Sequence, residues 1–156
     1  MGKQKFLSSI YLIIKNENGE MLLQRRQGTK LWSGFLALPA GHVDEGDNVY
    51  YAAMREAREE LNIKISEENI IDTFVVNRRN KSLLPYFYVY FEINGYEGEI
   101  IINEPEKCSE LKWCSIEKLP EDIIDFERVA LLNNYKGRKF STIDTDNEKK
   151  LILTKK

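Results

Sequence analysis

Three glutamates, Glu56, Glu59 and Glu60, stand at spacings of three and four in the run Arg55-Glu56-Ala57-Arg58-Glu59-Glu60-Leu61. On a helix, at about 100° per residue, they fall within an arc of roughly 100°. Val49, Ala53, Ala57 and Leu61 form the neighbouring apolar stripe, so the carboxylates border the face that must be buried. Two carboxylates about 5 Å apart repel by roughly 3 kcal/mol at an effective dielectric near 20. Fully exposed, the same pair costs only a few tenths of a kcal/mol. A solvated acidic face with Arg55 and Arg58 as ion-pair partners is therefore cheap, whereas the same face under a loop needs a counter-charge. A divalent cation would supply it, and hard oxygen donors suit magnesium or manganese. Spacing alone leaves both readings open.

The elements that must position these acids are legible around them. Asn48 is placed to cap a helix that starts at Val49, and Asn62 tolerates the left-handed conformation that ends it near Leu61. Ahead of the helix, Phe6–Lys15 reads as a strand, Asn16-Glu17-Asn18-Gly19 as a turn and Met21–Arg26 as a second strand, together a hairpin signal. A polar loop, Gln27–Ser33, leads to a short apolar piece, Phe35–Leu38, and to a loop marked by Pro39, Gly41 and Gly46. Behind the helix, Ile70–Val76 and Leu84–Ile93 are strands with Asn77–Lys81 as the turn between them. Tyr86, Tyr88 and Tyr90 share one face of the second strand, and Phe87, Val89 and Phe91 share the other, which predicts a central position. Gly95–Ser109 is an acidic loop, Leu111–Ile116 a strand, and Asp122–Tyr135 a helix ended by Gly137. Asp144–Lys156 is expected to be loosely held. Strands and helices in this order predict an α/β (α+β) fold: a mixed β-sheet flanked by helices, an α/β/α sandwich.

The segment Gly41 to Ile63 resembles the box of the Nudix hydrolase family, written G-x5-E-x7-R-E-U-x-E-E-x-G-U with U a bulky aliphatic residue. Here it reads Gly41, five residues, Asp47, seven residues, then Arg55-Glu56-Ala57-Arg58-Glu59-Glu60-Leu61-Asn62-Ile63. Spacing is kept throughout. Asp47 replaces the usual Glu, Ala57 is small for its slot, and Asn62 stands for Gly. Leu12–Arg26 looks like the opening of MutT-type members, and Pro39-Ala40-Gly41-His42 like their pre-box loop. Asn103-Glu104-Pro105-Glu106-Lys107-Cys108, leading to Leu111-Lys112-Trp113, is similar to a segment of members that cleave nucleoside triphosphates.

The resemblance implies a magnesium-dependent hydrolase (manganese as an alternative) that cleaves a phosphoanhydride bond. Its metal ligands would be Glu56, Glu59 and Glu60, with the backbone carbonyl of Ala40 as a further donor. Glu59, Glu60, Arg55 and Glu104 make up the implied catalytic set; Glu60, Glu104 and Glu106 are the candidates for activating water. Arg26, at a strand end, is the candidate phosphate contact, with a plain surface arginine as the alternative; Trp32 is a candidate stacking surface for a nucleobase, with ordinary packing equally open. His42 is assigned no role beyond a phosphate contact, Trp113 is expected in the core, and Cys108 and Cys114 have no chemical role. The leading implied reaction releases a nucleoside monophosphate and pyrophosphate from a nucleoside triphosphate, standard or oxidised. ADP-ribose, sugar nucleotides and dinucleoside polyphosphates are alternatives, as is a nucleotide-binding module without turnover.

Bulk properties narrow the partners. The chain has 156 residues, 42% of them apolar and 31% charged, which suits one domain over residues 1–156 with a core at about 6–135. A net charge of -2 gives no general attraction to a nucleic acid polymer or an anionic membrane. No apolar run approaches the roughly 20 residues needed to span a bilayer. Two cysteines, without CxxC spacing, fit reduced thiols and a cytoplasmic location. No sequence feature decides homodimer formation.

Overall fold

The computed structural model describes residues 2–145. Its frame is a mixed five-stranded sheet built from β1 (Leu7–Ile14), β4 (Ala40–His42), β5 (Ile70–Asn80), β6 (Leu83–Ile93) and β8 (Phe140–Asp144), in the order β4-β1-β6-β5-β8. β1 runs parallel to β6 and β5 parallel to β8, while the β1/β4 and β5/β6 pairs are antiparallel. A second, antiparallel sheet holds β2 (Met21–Arg26), β3 (Leu36–Ala37) and β7 (Cys108–Cys114) in the order β3-β2-β7.

The large sheet is covered on both faces, as the α/β pattern predicts. On one side α1 (Val49–Leu61) buries Ala52, Ala53, Ala57 and Leu61 against Ile10, Leu12, Phe91 and Ile93. On the other, α2 (Asp125–Tyr135) sets Phe126, Ala130 and Leu131 against Tyr11, Phe74, Tyr88 and Tyr90. Each large apolar side chain withdrawn from water contributes about 2 kcal/mol, and alternation along β6 supplies such groups to both cores. β6 is the middle strand, as its two bulky faces predict. Trp113 is only half-buried and packs at the edge of the α1-side core.

Four expectations are corrected. β1 and β2 are joined by a turn at Asn16, whose Oδ1 accepts from the Asn18 and Glu20 amides at 3.0 Å each, but they do not form a hairpin. Only the Lys15–Met21 bridge links them; both edges of β1 are taken by β4 and β6, so β2 diverges into the smaller sheet. The turn placed at Asn77–Lys81 shrinks to residues 81–82, because Asn77 and Arg78 pair with Phe87 and Tyr86 and continue β5. α2 starts at Asp125 and not Asp122: Leu36 exchanges backbone hydrogen bonds with Asp122 and Ile124, holding those residues extended. β7 begins three residues early, at Cys108, because Arg26 pairs with it. Beyond α2, the segment 140–144 forms an additional strand on β5, with Ile143 buried. The tail expected to be loose lies, beyond Thr145, outside the described residues.

Candidate active site

α1 is bounded by local chemistry. The Asn48 side chain accepts from the Tyr51 amide at 2.9 Å, satisfying an orphan donor of the first turn. Asn62 closes the helix at φ 60°, ψ 33°, its amide turned back to the carbonyls of Ala57 and Arg58. Within these limits Glu56 and Glu60 project over β4. A Cβ on Gly41 would lie 2.1 Å from Glu56 Cδ, so the box glycine is what lets the helix seat its first carboxylate against the strand.

The loop before β7 is sewn onto the end of the same helix. Asn103 Nδ2 donates to the Glu59 carbonyl at 2.9 Å, and the Asn103 and Ile101 amides donate to the carbonyls of Glu60 and Leu61. These bonds satisfy C-terminal acceptors that α1 cannot satisfy itself. They also deliver Glu104 and Lys107 to the carboxylates. From the other side Gln27 N donates to Lys107 O at 2.9 Å. The adjoining Gly28 has φ 66°, and a Cβ there would meet the Glu106 carbonyl at 2.7 Å.

One cavity of about 780 Å³ contains Glu56, Glu60, Glu104 and Lys107 together with Arg26 and Trp32. Burial and the charges of Glu56 and Glu104 push the Glu60 carboxyl up to about 8, against the Ala40 backbone hydrogen bond and Lys107, which favour ionisation. Glu60 Oε2 is buried and without a hydrogen-bond partner. Burial, then the Glu59 charge, also raises Glu56, with Arg55 opposing. Lys107 Nζ stands 3.5 Å from Glu104 Oε2.

The expected residues are therefore divided. Of the three glutamates expected to converge, Glu56 and Glu60 line the cavity together, whereas Glu59 is exposed, its charge acting on Glu56. Glu104 joins the cluster, whereas Glu106 is exposed and touches Gly28 through its backbone. Arg55 acts as a clamp on the box loop: it pairs with Asp47, donates to the His42 carbonyl at 2.9 Å, and lies 3.4 Å from Asp44 and 3.5 Å from Glu56. The Arg55 guanidinium beside Asp47 holds its carboxyl below the ordinary range, and the pair shows that the shorter side chain still reaches. Arg26 turns one guanidinium nitrogen to the Leu31 carbonyl at 3.4 Å and keeps a buried Nε with no partner. Trp32 lines the cavity while packing 5.5 Å from Phe126, so wall and core roles coincide. His42 is tied to the Tyr86 hydroxyl at 3.0 Å.

Among the described residues no three His, Cys, Asp or Glu side chains already stand at metal-binding spacing. The donor chemistry nevertheless fits a hard divalent cation: carboxylate oxygens only, one of them buried and unpaired. Two residues were not singled out from sequence. Arg78 is buried against the far wall of the cavity, and Glu127 is buried behind Leu38, whose amide donates to it at 2.9 Å. Polar residues inside an apolar helix or turn carry no local signal of this kind.

The model of the NUDIX domain matches residues 5–133. The chain is 31% identical over 117 residues to the asymmetrical bis(5'-nucleosyl)-tetraphosphatase of Mus musculus, covering 69% of this chain and 74% of that one. It is 25% identical over 150 residues to an RNA pyrophosphohydrolase of Bartonella bacilliformis, covering 79% and 85%. Among solved structures, the MutT protein from Methanosarcina mazei Go1 superposes with a TM-score of 0.74 at 23% identity, over 87% of this chain and 97% of that chain. With the Gly41–Ile63 box folded into a carboxylate-lined cavity and the domain match spanning most of its length, the chain belongs to the Nudix family and is a hydrolase of phosphoanhydride bonds.

Proposed function

We propose that the protein hydrolyses a nucleoside triphosphate at the α–β anhydride, consuming water and releasing a nucleoside monophosphate and pyrophosphate. The observation that carries this reading is the joining of Glu104 and Lys107 to Glu56 and Glu60 in one cavity whose opposite wall is aromatic. Its volume, about 780 Å³, lies within the range of pockets that enclose one small ligand.

Glu56 and Glu60 are the proposed ligands of a magnesium or manganese ion, with the exposed Glu59 on the same helix as a third and the Ala40 carbonyl as a backbone donor. The bound ion supplies charge neutralisation at the phosphates and acidifies water. Glu104, held by the Asn103 bonds to α1, orients the attacking water and takes its proton. Lys107 and Arg26 stabilise negative charge on the phosphate oxygens. Arg55 acts at one remove, by fixing the loop that carries the box glycine. Trp32 offers an indole face to the base.

The test is a panel of ribo- and deoxynucleoside triphosphates, oxidised triphosphates, ADP-ribose, sugar nucleotides and dinucleoside polyphosphates, incubated with magnesium and resolved by chromatography. Monophosphate and pyrophosphate should appear from triphosphates. Cleavage of another class with triphosphates left intact would overturn the reading. A dinucleoside polyphosphate is the second reading, favoured by the 31% identity to the mouse tetraphosphatase. Magnesium chemistry at a soluble, cytoplasmic site is part of this proposal; among the described residues no helix is long and apolar enough to cross a membrane.

A further inference from the structure

Arg78 is 3% exposed, yet its Nε and Nη1 have no hydrogen-bond partner. Among the described residues no carboxylate pairs with it within 4 Å. Its guanidinium lies 5.1 Å from the Tyr86 ring, 5.6 Å from Tyr88 and 5.8 Å from Phe126 and donates a hydrogen bond to the Tyr88 hydroxyl, which leaves Nε and Nη1 without an acceptor. Ring faces attract a cation, but they accept none of its in-plane N–H bonds. A buried donor left unsatisfied is costly, and the cost is greatest for a charged one. The same side chain lines the cavity that holds the carboxylates. A ligand in that cavity is placed to supply the acceptors that Nε and Nη1 lack.

Position says which part of a ligand that is. Arg78 is on β5, and the order β4-β1-β6-β5 puts three strand spacings, roughly 14 Å, between it and the strand beneath Glu56. A nucleotide with its phosphates at Glu56, Glu60 and Lys107 presents its base at that distance. The walls agree: Trp32, Tyr86 and Tyr88 line the cavity, with Phe126 packed behind Trp32 and Tyr88, an aromatic enclosure suited to a flat ring and poor for a second phosphate.

We infer that Arg78 is a specificity-determining residue that reads a base carbonyl, and that the preferred substrates carry a 6-oxopurine. Arginine pairs best with the adjacent O6 and N7 acceptors of guanine, whereas adenine turns an amine donor toward the same nitrogens. Adenine would leave the buried guanidinium facing a donor. This inference rests on the nucleotide reading above, though not on turnover.

The experiment measures binding of GMP, IMP, AMP and 7-deaza-GMP to the full chain by calorimetry, beside kinetics on GTP, ITP and ATP. The wild-type protein should bind GMP and IMP about tenfold more tightly than AMP, with 7-deaza-GMP weakened several-fold. Arg78→Met should bring the GMP/AMP ratio to within about threefold, and Arg78→Lys should restore part of it. Equal GMP and AMP binding by the wild type would overturn the inference. So would an Arg78→Met variant that keeps the ratio, or one that weakens both nucleotides alike as loss of a phosphate contact would. If Arg78→Met does not fold, the 7-deaza and inosine ligands decide on the wild type alone. GMP preference without triphosphate cleavage would sink the proposed reaction and leave Arg78 standing; equal cleavage of GTP and ATP would do the reverse.

Discussion

Glu127 offers a measurement in which one buried proton should dominate. The residue is 1% exposed, on the inner face of α2, and Leu38 N donates to its Oε1 at 2.9 Å. Burial pushes its carboxyl from an ordinary 4.5 up to about 8, against the Leu38 hydrogen bond and the Arg26 charge. A carboxyl raised in the folded state gives its full stability below pH 4.5, and loses it as pH rises toward 8. Over that window of about 3.5 units, at 1.36 kcal/mol per unit, the loss is at most ~5 kcal/mol. Glu127→Gln keeps the acceptor for Leu38 and removes the titration. In magnesium-free buffer, urea unfolding at pH 5, 6.5 and 8 should show wild type and variant diverging upward with pH. By pH 8 the variant should lead by ~2–5 kcal/mol, equivalent to roughly 4–20 °C in Tm. Glu56 and Glu60, raised in the same direction, tilt both proteins alike and cancel in the difference. If the two stability curves run parallel from pH 5 to 8, Glu127 is not a neutral acid in the fold and the reasoning fails.

Other outcomes follow from the same geometry. Gly41→Ala places a methyl where Glu56 Cδ now lies, so turnover should fall at least tenfold with the fold intact by circular dichroism; wild-type turnover would refute the close seating of α1. Saturating magnesium should raise the unfolding midpoint of the wild type and not that of Glu60→Gln; equal shifts would place the ion elsewhere. Glu104→Gln should lower kcat by about 10²-fold or more while Glu106→Gln stays near wild type, because only Glu104 reaches the carboxylates. Asn62→Ala should cost about 1 kcal/mol in chemical denaturation, and Asn62→Gly should cost nothing, since the position is left-handed.

What could be read without the fold was what depends on near neighbours. Asn48, Asn62 and the three-and-four spacing of Glu56, Glu59 and Glu60 define α1 through contacts within one helical turn. Alternation along 86–91 likewise announced a strand buried on both faces, and it is the middle strand. The box spacing carried the family resemblance, since the carboxylate-bearing helix and its glycine loop are one continuous segment. Long-range pairing decided the rest. Asn16–Gly19 makes its turn, but β1's edges are already occupied, so no hairpin forms. Glu59 and Glu60 are neighbours in sequence, yet only the latter lies under the loop that Asn103 binds to α1. Arg78 looks like a turn residue until β5 extends past it and three rings from two other elements close around it. Local composition can say that a residue is charged; only the packed sheet and α2 determine that its charge is buried and lines the cavity.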